Sequence, residues 1–154
     1  LRDIIRVETE SHLNHIKELF MEYATSLGIN LSFQKFDDEL ANLPGEYVFP
    51  KGCMLLAISG GQIAGCVALR SLGDDICEMK RLYVRPQFRG KGLGRSLVQA
   101  LIVEARRLGY KKMRLDTLPW MKEAIALYRS FGFKEIPPYC YNPIEGVLFM
   151  ELIL

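Results

Sequence analysis

The chain has 154 residues, 49% apolar and 25% charged, and its 20 Lys and Arg against 18 Asp and Glu leave a net charge of +2. That length suits one ordinary domain able to bury roughly 70% of its unfolded surface, and the composition excludes both disorder and a disulfide-stapled miniature. The charge is too small for bulk attraction to nucleic acid, and the longest apolar runs, such as 54–58, are about five residues where a membrane span needs roughly 20, so neither partner is expected.

The first predicted element is a short strand over residues 4–8. Leu13, Ile16, Phe20, Tyr23 and Leu27 then recur at helical spacing until Gly28 stops the pattern. His12 and His15 stand three apart near the start of that helix, but no third ligand accompanies them, so they read as capping or solvated residues and no metal is expected. A second helix is predicted over residues 33–43, with Phe33, Phe36, Leu40 and Leu43 on one stripe and Pro44-Gly45 at its end. Asp37, Asp38 and Glu39 read as its exposed side, an acidic run that could also draw in a cationic acceptor.

From Cys53 the pattern changes. CMLLAIS, a Gly60-Gly61 turn and QIAGCVALRS predict an antiparallel hairpin. ICEMKRLYV predicts a third strand, with Glu78, Lys80, Leu82 and Val84 on one face and Met79, Arg81 and Tyr83 on the other, ended by Pro86. A strong helix follows over residues 92–108, carrying Leu93, Leu97, Leu101, Ala105 and Leu108 on one stripe, with Gly109 at its stop. KKMRLDT is the next strand. Pro119 is placed to open a helix running to about Phe131, and FKEIPP and GVLFMELIL supply the last two strands.

The order β, α, α, three β, α, β, α, two β has no internal repeat or linker. It predicts a single α/β domain over residues 1–154 with a sheet of mixed polarity, in which only the strand-helix-strand unit of residues 76–117 requires a parallel neighbour. Cys53, Cys66, Cys77 and Cys140 are 13, 11 and 63 positions apart. That spacing is neither a zinc pattern nor a disulfide framework, so they read as small core residues in a reducing compartment. No basic, apolar leader follows Leu1, and a cytoplasmic setting is expected.

The chemically informative stretch is Arg89-Gly90-Lys91-Gly92-Leu93-Gly94, between a strand and a long helix. Its alternate glycines let backbone approach a ligand closely, and the first helical turn offers N–H groups to an anion. No Ser, Thr, Asp or Asn caps the helix, and Arg95 stands where a carboxylate would suit the dipole. Residues 79–103 hold six basic residues (Lys80, Arg81, Arg85, Arg89, Lys91, Arg95) and no acid. A multiply charged anion, phosphate above all, would offset that crowding. The spacing rejects a GxGxxG dinucleotide fingerprint, since Arg95 or Leu97 stands where its third glycine belongs, and no Gly-Lys-Ser or Gly-Lys-Thr closes a P-loop.

The Arg-x-x-Gly-x-Gly pattern of Arg89, Gly92 and Gly94, preceded by LYVRPQF and followed by ALYRSFGF, resembles the GNAT superfamily of acyl-CoA-dependent N-acetyltransferases across about residues 53–133. The resemblance implies a mostly antiparallel central sheet flanked by helices, with one parallel strand pair splayed apart. It implies acetyl-CoA as co-substrate, with its pyrophosphate on Arg89, Gly90, Lys91, Gly92, Leu93, Gly94 and Arg95 and its pantetheine arm along Leu82, Tyr83 and Val84.

By the same resemblance Tyr128 protonates the departing thiolate, and Glu78 takes the proton of the amine; a salt bridge of Glu78 with Lys80 or Arg81 is the plainer reading. The chain departs from the family pattern at Met121, where many relatives carry Asn, because a thioether cannot replace an amide's hydrogen bonds. The 137–143 loop is expected to border the acceptor pocket. Arg70 and Lys80 read as surface ion pairs, or as a site for a substrate carboxylate. The resulting expectation is acetyl transfer to a primary amine of a small-molecule acceptor by direct attack. The alternatives are a CoA-binding regulatory module without transfer activity and, on the position of Asp116 alone, an NAD-binding domain. The family also allows a homodimer.

Overall fold

The computed structural model describes residues 2–32 and 35–154. Over these the elements follow the expected order: β1 (Arg2–Arg6), α1 (Glu10–Leu27), α2 (Phe36–Ala41), β2 (Cys53–Ser59), β3 (Gln62–Gly73), β4 (Ile76–Val84), α3 (Leu93–Arg107), β5 (Lys112–Thr117), α4 (Lys122–Ser130), β6 (Lys134–Ile136) and β7 (Leu148–Ile153). The strands form one seven-stranded sheet in the order β1-β2-β3-β4-β5-β7-β6. Every neighbouring pair is antiparallel except β4 and β5. The β2–β3 connection is the expected glycine turn, with Gly60 and Gly61 at φ 57° and 77°, the left-handed pair that a tight hairpin needs.

Three boundaries differ from the sequence reading. The first ladder runs over Arg2–Arg6, not 4–8, because Thr9 already caps α1: its hydroxyl accepts from the His12 N–H at 3.1 Å. His12 Nδ1 accepts in return from the Glu8 and Thr9 N–H groups, so this histidine is spent on the cap. The second helix is only Phe36–Ala41, and Phe33, assigned to its stripe, lies outside the described residues. Pro119 does not open α4 but sits in a turn before it, closed by the Met121 N–H on the Leu118 carbonyl at 3.0 Å, a position its fixed φ suits.

The sheet is covered on both faces. Leu93, Leu97, Val98 and Leu101 of α3, with Tyr128 of α4, pack on Leu55, Val67, Met79, Met113, Leu115 and Met150. Ile16, Leu19 and Phe20 of α1 and Phe36 of α2 pack on Met54, Leu56, Cys66, Ala68 and Tyr83. Cys53, Cys66 and Cys77 are buried, and burial pushes the Cys53 and Cys77 thiols up to about 12. Cys140, grouped with them from sequence, is exposed because it lies in the irregular chain between β6 and β7.

Two irregularities at the centre of the sheet position the site. The parallel ladder of β4 and β5 lasts for Ile76↔Lys112, Cys77↔Met113 and Glu78↔Arg114 only, after which the strands part. On its other edge β4 slips against β3: Cys66 pairs Tyr83 while Ala68 pairs Lys80, so three steps on β4 span two on β3. The extra residue is Arg81, at φ 61°, and this is a β-bulge. The bulge overturns the strict alternation expected for β4. Met79, Leu82 and Val84 pack on the α3 face, and Tyr83 joins the α1 face. Lys80 and Arg81, adjacent in sequence, both line the same pocket.

Candidate active site

A cleft of about 630 Å³ opens where β4 leaves β5. One wall is Leu82, Tyr83, Val84, Arg89, Gly90, Gly92, Leu93 and Gly94; the other is Trp120, Met121, Lys122, Glu123, Ala124 and Leu127, with Tyr23, Ser26 and Leu27 of α1 at one end. Eight of the ten residues assigned to the donor from sequence therefore share one cavity. Lys91 and Arg95 are not among its walls. Lys91 Nζ lies 5.9 Å over the Phe88 ring, and Arg95 stacks 5.2 Å over Phe131 while donating to Ser130 Oγ at 3.1 Å.

The start of α3 is built for an anion. Gly92 caps it at φ 79° with no side-chain bond to the first turn, and no acid stands in that turn, so the first N–H groups face the cleft wall with the positive end of the dipole behind them. Gly94 is informative in a different way. A Cβ there would meet nothing nearer than Leu127 Cδ2 at 3.7 Å, an ordinary contact. The fold does not require glycine at 94, and what glycine leaves is room beside the helix start.

Two members of the six-cation cluster read from sequence are matched by acids from distant segments. Arg85 donates to Glu22 of α1 at 2.8 Å. Arg81 gives two hydrogen bonds to Glu39, at 2.9 and 3.1 Å, and its guanidinium lies over the rings of Phe36 and Tyr23. Glu39, assigned to the exposed side of α2, therefore turns inward, and only Asp37 and Asp38 of that run are exposed. The buried Arg81 charge compels this, since a desolvated cation needs a partner.

Behind the cleft lies a smaller pocket lined by Lys80, Arg81, Asp116, Thr117, Tyr128 and Asn142, with Tyr23, Leu27, Leu82 and Met121 shared between the two cavities. Tyr128 is 6% exposed and sits on α4 against Phe133. Burial first, then the negative potential of Asp116 and Tyr23, raises its phenol well above the ordinary range, so it holds its proton at neutral pH. Asp116 accepts from Asn142 Nδ2 at 3.0 Å, which ties the 137–143 loop to the end of β5.

Glu78 is 1% exposed and lines neither cavity. Arg70 Nε, directly across the β3–β4 ladder, donates to one oxygen at 2.8 Å, and the Tyr139 hydroxyl donates to the other at 2.6 Å. Lys80 Nζ stands at 3.8 Å. Burial alone would raise this carboxyl, but Lys80, Arg70 and Tyr139 together hold it below the ordinary carboxylate range.

Helical spacing puts Met121, Ala124, Ile125 and Tyr128 on one face; of these Met121 and Ala124 line the cleft, Met121 and Tyr128 line the smaller pocket, and Ile125 lines neither. Sequence reasoning missed Tyr23 as a lining residue and Glu39 and Tyr139 as the partners of Arg81 and Glu78, and weighed Asp116 only for a ribose. The buried Arg81 carried no local signal of its partner. For Asp116 the register held a clue, since residues 80 and 116 each lie two beyond the last paired residues, 78 and 114.

The family model for the acetyltransferase (GNAT) family matches residues 13–133. An uncharacterized N-acetyltransferase of Schizosaccharomyces pombe is 46% identical over 151 residues, which cover 97% of this chain and 93% of that protein. Among solved structures, an acetyltransferase from Streptococcus agalactiae 2603 superposes with a TM-score of 0.80 at 23% identity, covering 99% of this chain and 98% of its own. The Salmonella typhimurium protein yncA, solved with its cofactor acetyl-CoA, gives 0.73 at 22%, covering 99% and 93%. At those identities the two structures speak to the fold, which they share along nearly the whole chain.

Proposed function

The chain belongs to the GNAT family of acetyltransferases, and from that premise we propose that it moves the acetyl group of acetyl-CoA to a primary amine of a small-molecule acceptor, by direct attack in a ternary complex. The observation that carries the reading is one continuous path: the uncapped start of α3, the exposed edge of β4 at its bulge, and Tyr128 all border cavities joined at Leu82 and Met121.

In this reading the pyrophosphate lies on the N–H groups at the start of α3, and the pantetheine arm runs along β4 at Leu82–Val84 as an added strand would. Lys91 and Arg95 contribute long-range potential, since their side chains stack elsewhere. The alkyl ammonium must first lose a proton, because its pKa is near that of Lys at about 10.4. The free amine attacks the thioester carbonyl, the N–C bond forms, and a β4 N–H beside the bulge bears the developing oxyanion. The C–S bond then breaks, Tyr128 gives its proton to the thiolate, and the phenolate recovers one from the amide nitrogen. Burial raises thiolate and phenolate basicity together, so the transfer stays matched inside a dry pocket.

Glu78 acts as a positioning residue. Clamped and ionised, it holds Arg70, Lys80 and Tyr139 in place, and the proton of the amine leaves through pocket water.

The test is a melting curve with acetyl-CoA, CoA and NADH, each at about 100 times its dissociation constant, where linkage gives ~2.7 kcal/mol and roughly 5 to 10 °C. A shift with both CoA species and none with NADH is expected, followed by thiol release when amines are added. No shift with either CoA species overturns the reading.

A further inference from the structure

Building on the acetyl-transfer reading, we infer that Trp120 is a donor-binding residue, its indole laid against the pantetheine arm of acetyl-CoA. The indole lines the larger cleft and not the smaller pocket behind it, and Trp120 is 52% exposed. Its open face is covered by water that an uncharged ligand part would displace.

The backbone that carries it is fixed. Leu118 is buried, its carbonyl accepts from the Met121 N–H at 3.0 Å, and the Met121 carbonyl accepts from the Ile125 N–H at 3.0 Å where α4 begins. The turn between β5 and α4 therefore holds the indole out into the cleft, and binding has little backbone left to order.

The position along the cleft selects the part of the donor. At the helix start, Leu127 Cδ2 is the nearest atom to a Cβ built on Gly94, at 3.7 Å, so Leu127 marks the pyrophosphate end. Leu82 and Met121 mark the inner end, where the cleft joins the smaller pocket. Trp120 adjoins Met121 and so stands along the stretch between pyrophosphate and thioester, where Leu82 and Val84 of one wall lie opposite Trp120, Met121 and Ala124 of the other. The donor is uncharged over that length. Its amide planes and geminal methyl groups suit the broad apolar face of an indole. Adenine would also stack on an indole, but it lies on the far side of the pyrophosphate from the thioester.

Trp120 is the only tryptophan of the chain, so its emission reports this one place. The experiment measures acrylamide quenching of that emission in the protein alone and with saturating acetyl-CoA, acetyl-4′-phosphopantetheine or adenosine 3′,5′-bisphosphate. The two compounds that carry the arm are expected to protect the indole and shift its emission to shorter wavelength, and the bisphosphate, adenine without the arm, to do neither. Trp120→Ala is expected to raise the acetyl-CoA dissociation constant about tenfold in calorimetry, and Trp120→Phe to restore most of the loss, with the urea midpoint of both unchanged.

Unprotected emission at an acetyl-CoA concentration that shifts the melting temperature overturns the inference. Equal protection by the bisphosphate, or a Trp120→Ala dissociation constant within about twofold of wild type, does the same. The quenching of the wild-type protein decides even where Trp120→Ala fails to fold. Absence of the acetyl-CoA melting shift itself is a different failure, that of the acetyl-transfer reading.

Discussion

The cleft proposed for the donor and the pocket proposed for the acceptor meet at Tyr23, Leu27, Leu82 and Met121, yet they are made in opposite ways. The donor wall is backbone from one contiguous stretch, residues 82–94, and depends on what is absent there: side chains on three glycines and a cap on α3. The acceptor pocket is made of side chains from α1, β4, β5, α4 and the 137–143 loop, held by partners far away in sequence, such as Glu39 on Arg81 and Tyr139 on Glu78. Recognition of a constant ligand part can rest on local backbone, whereas recognition of a variable one is assembled across the fold.

Substitutions that act on one region and spare the other test this division. The largest effect is expected in the smaller pocket: Tyr128→Phe should lower kcat by ~10² to 10⁴-fold and leave the acetyl-CoA dissociation constant within about twofold, because a hydroxyl that acts on the leaving thiolate contributes little to ground-state binding. Stopped turnover with normal calorimetric binding of acetyl-CoA is the expected pair of readings; full activity removes the tyrosine from the chemistry. Next is Glu39→Ala, which touches neither ligand. It leaves the Arg81 guanidinium, 2% exposed at its side chain, without its carboxylate, and breaking a buried pair costs about 3–5 kcal/mol. Urea unfolding should show that loss. A loss below ~1 kcal/mol would mean that the bulge does not depend on α2.

The same division explains what could be read from the sequence. The element order, the parallel unit and the glycine-rich loop before α3 were legible because periodicity, glycine spacing and an uncapped helix start are properties of neighbouring residues. The bulge was not. ICEMKRLYV alternates acceptably, and nothing in it announces that Arg81 takes φ 61°, because that conformation is stabilised by Glu39 and by the rings of Phe36 and Tyr23. The basic cluster misled for the same reason: a count over residues 79–103 sees six cations and cannot see Glu22 or Glu39 folded against two of them. Glu78 was located correctly on its strand, but its environment came from Arg70 and Tyr139, eight and 61 positions away.

A sharper test of the donor wall is Gly94→Ala. Nothing in the protein crowds a methyl there, and alanine exceeds glycine in helix propensity by up to about 1 kcal/mol, so the melting temperature should rise slightly. Acetyl-CoA binding should weaken by about tenfold or more, since the methyl fills the space beside the helix start, about 1.4 kcal/mol for each tenfold. Stability and affinity moving in opposite directions is the signature; unchanged affinity would take the pyrophosphate away from Gly94.

The smallest effect, and the finest separation, comes from Glu78→Gln. Because the folded carboxyl titrates below its ordinary value near 4.5, the unfolded chain binds its proton more readily. The resulting stability is fully present above the ordinary carboxylate range and is lost as pH falls through the folded value. The stability difference between wild type and Glu78→Gln should therefore be flat near neutrality and shrink on acidification below about pH 4.5. Kinetics should part the two roles: a positioning residue raises the acceptor KM through Lys80 while kcat stays within a few-fold, and the pH profile keeps its shape. A hundredfold fall in kcat with disappearance of the acid limb would instead make Glu78 the base, and Tyr139→Phe, which removes one of its clamps, would then be expected to shift that limb upward.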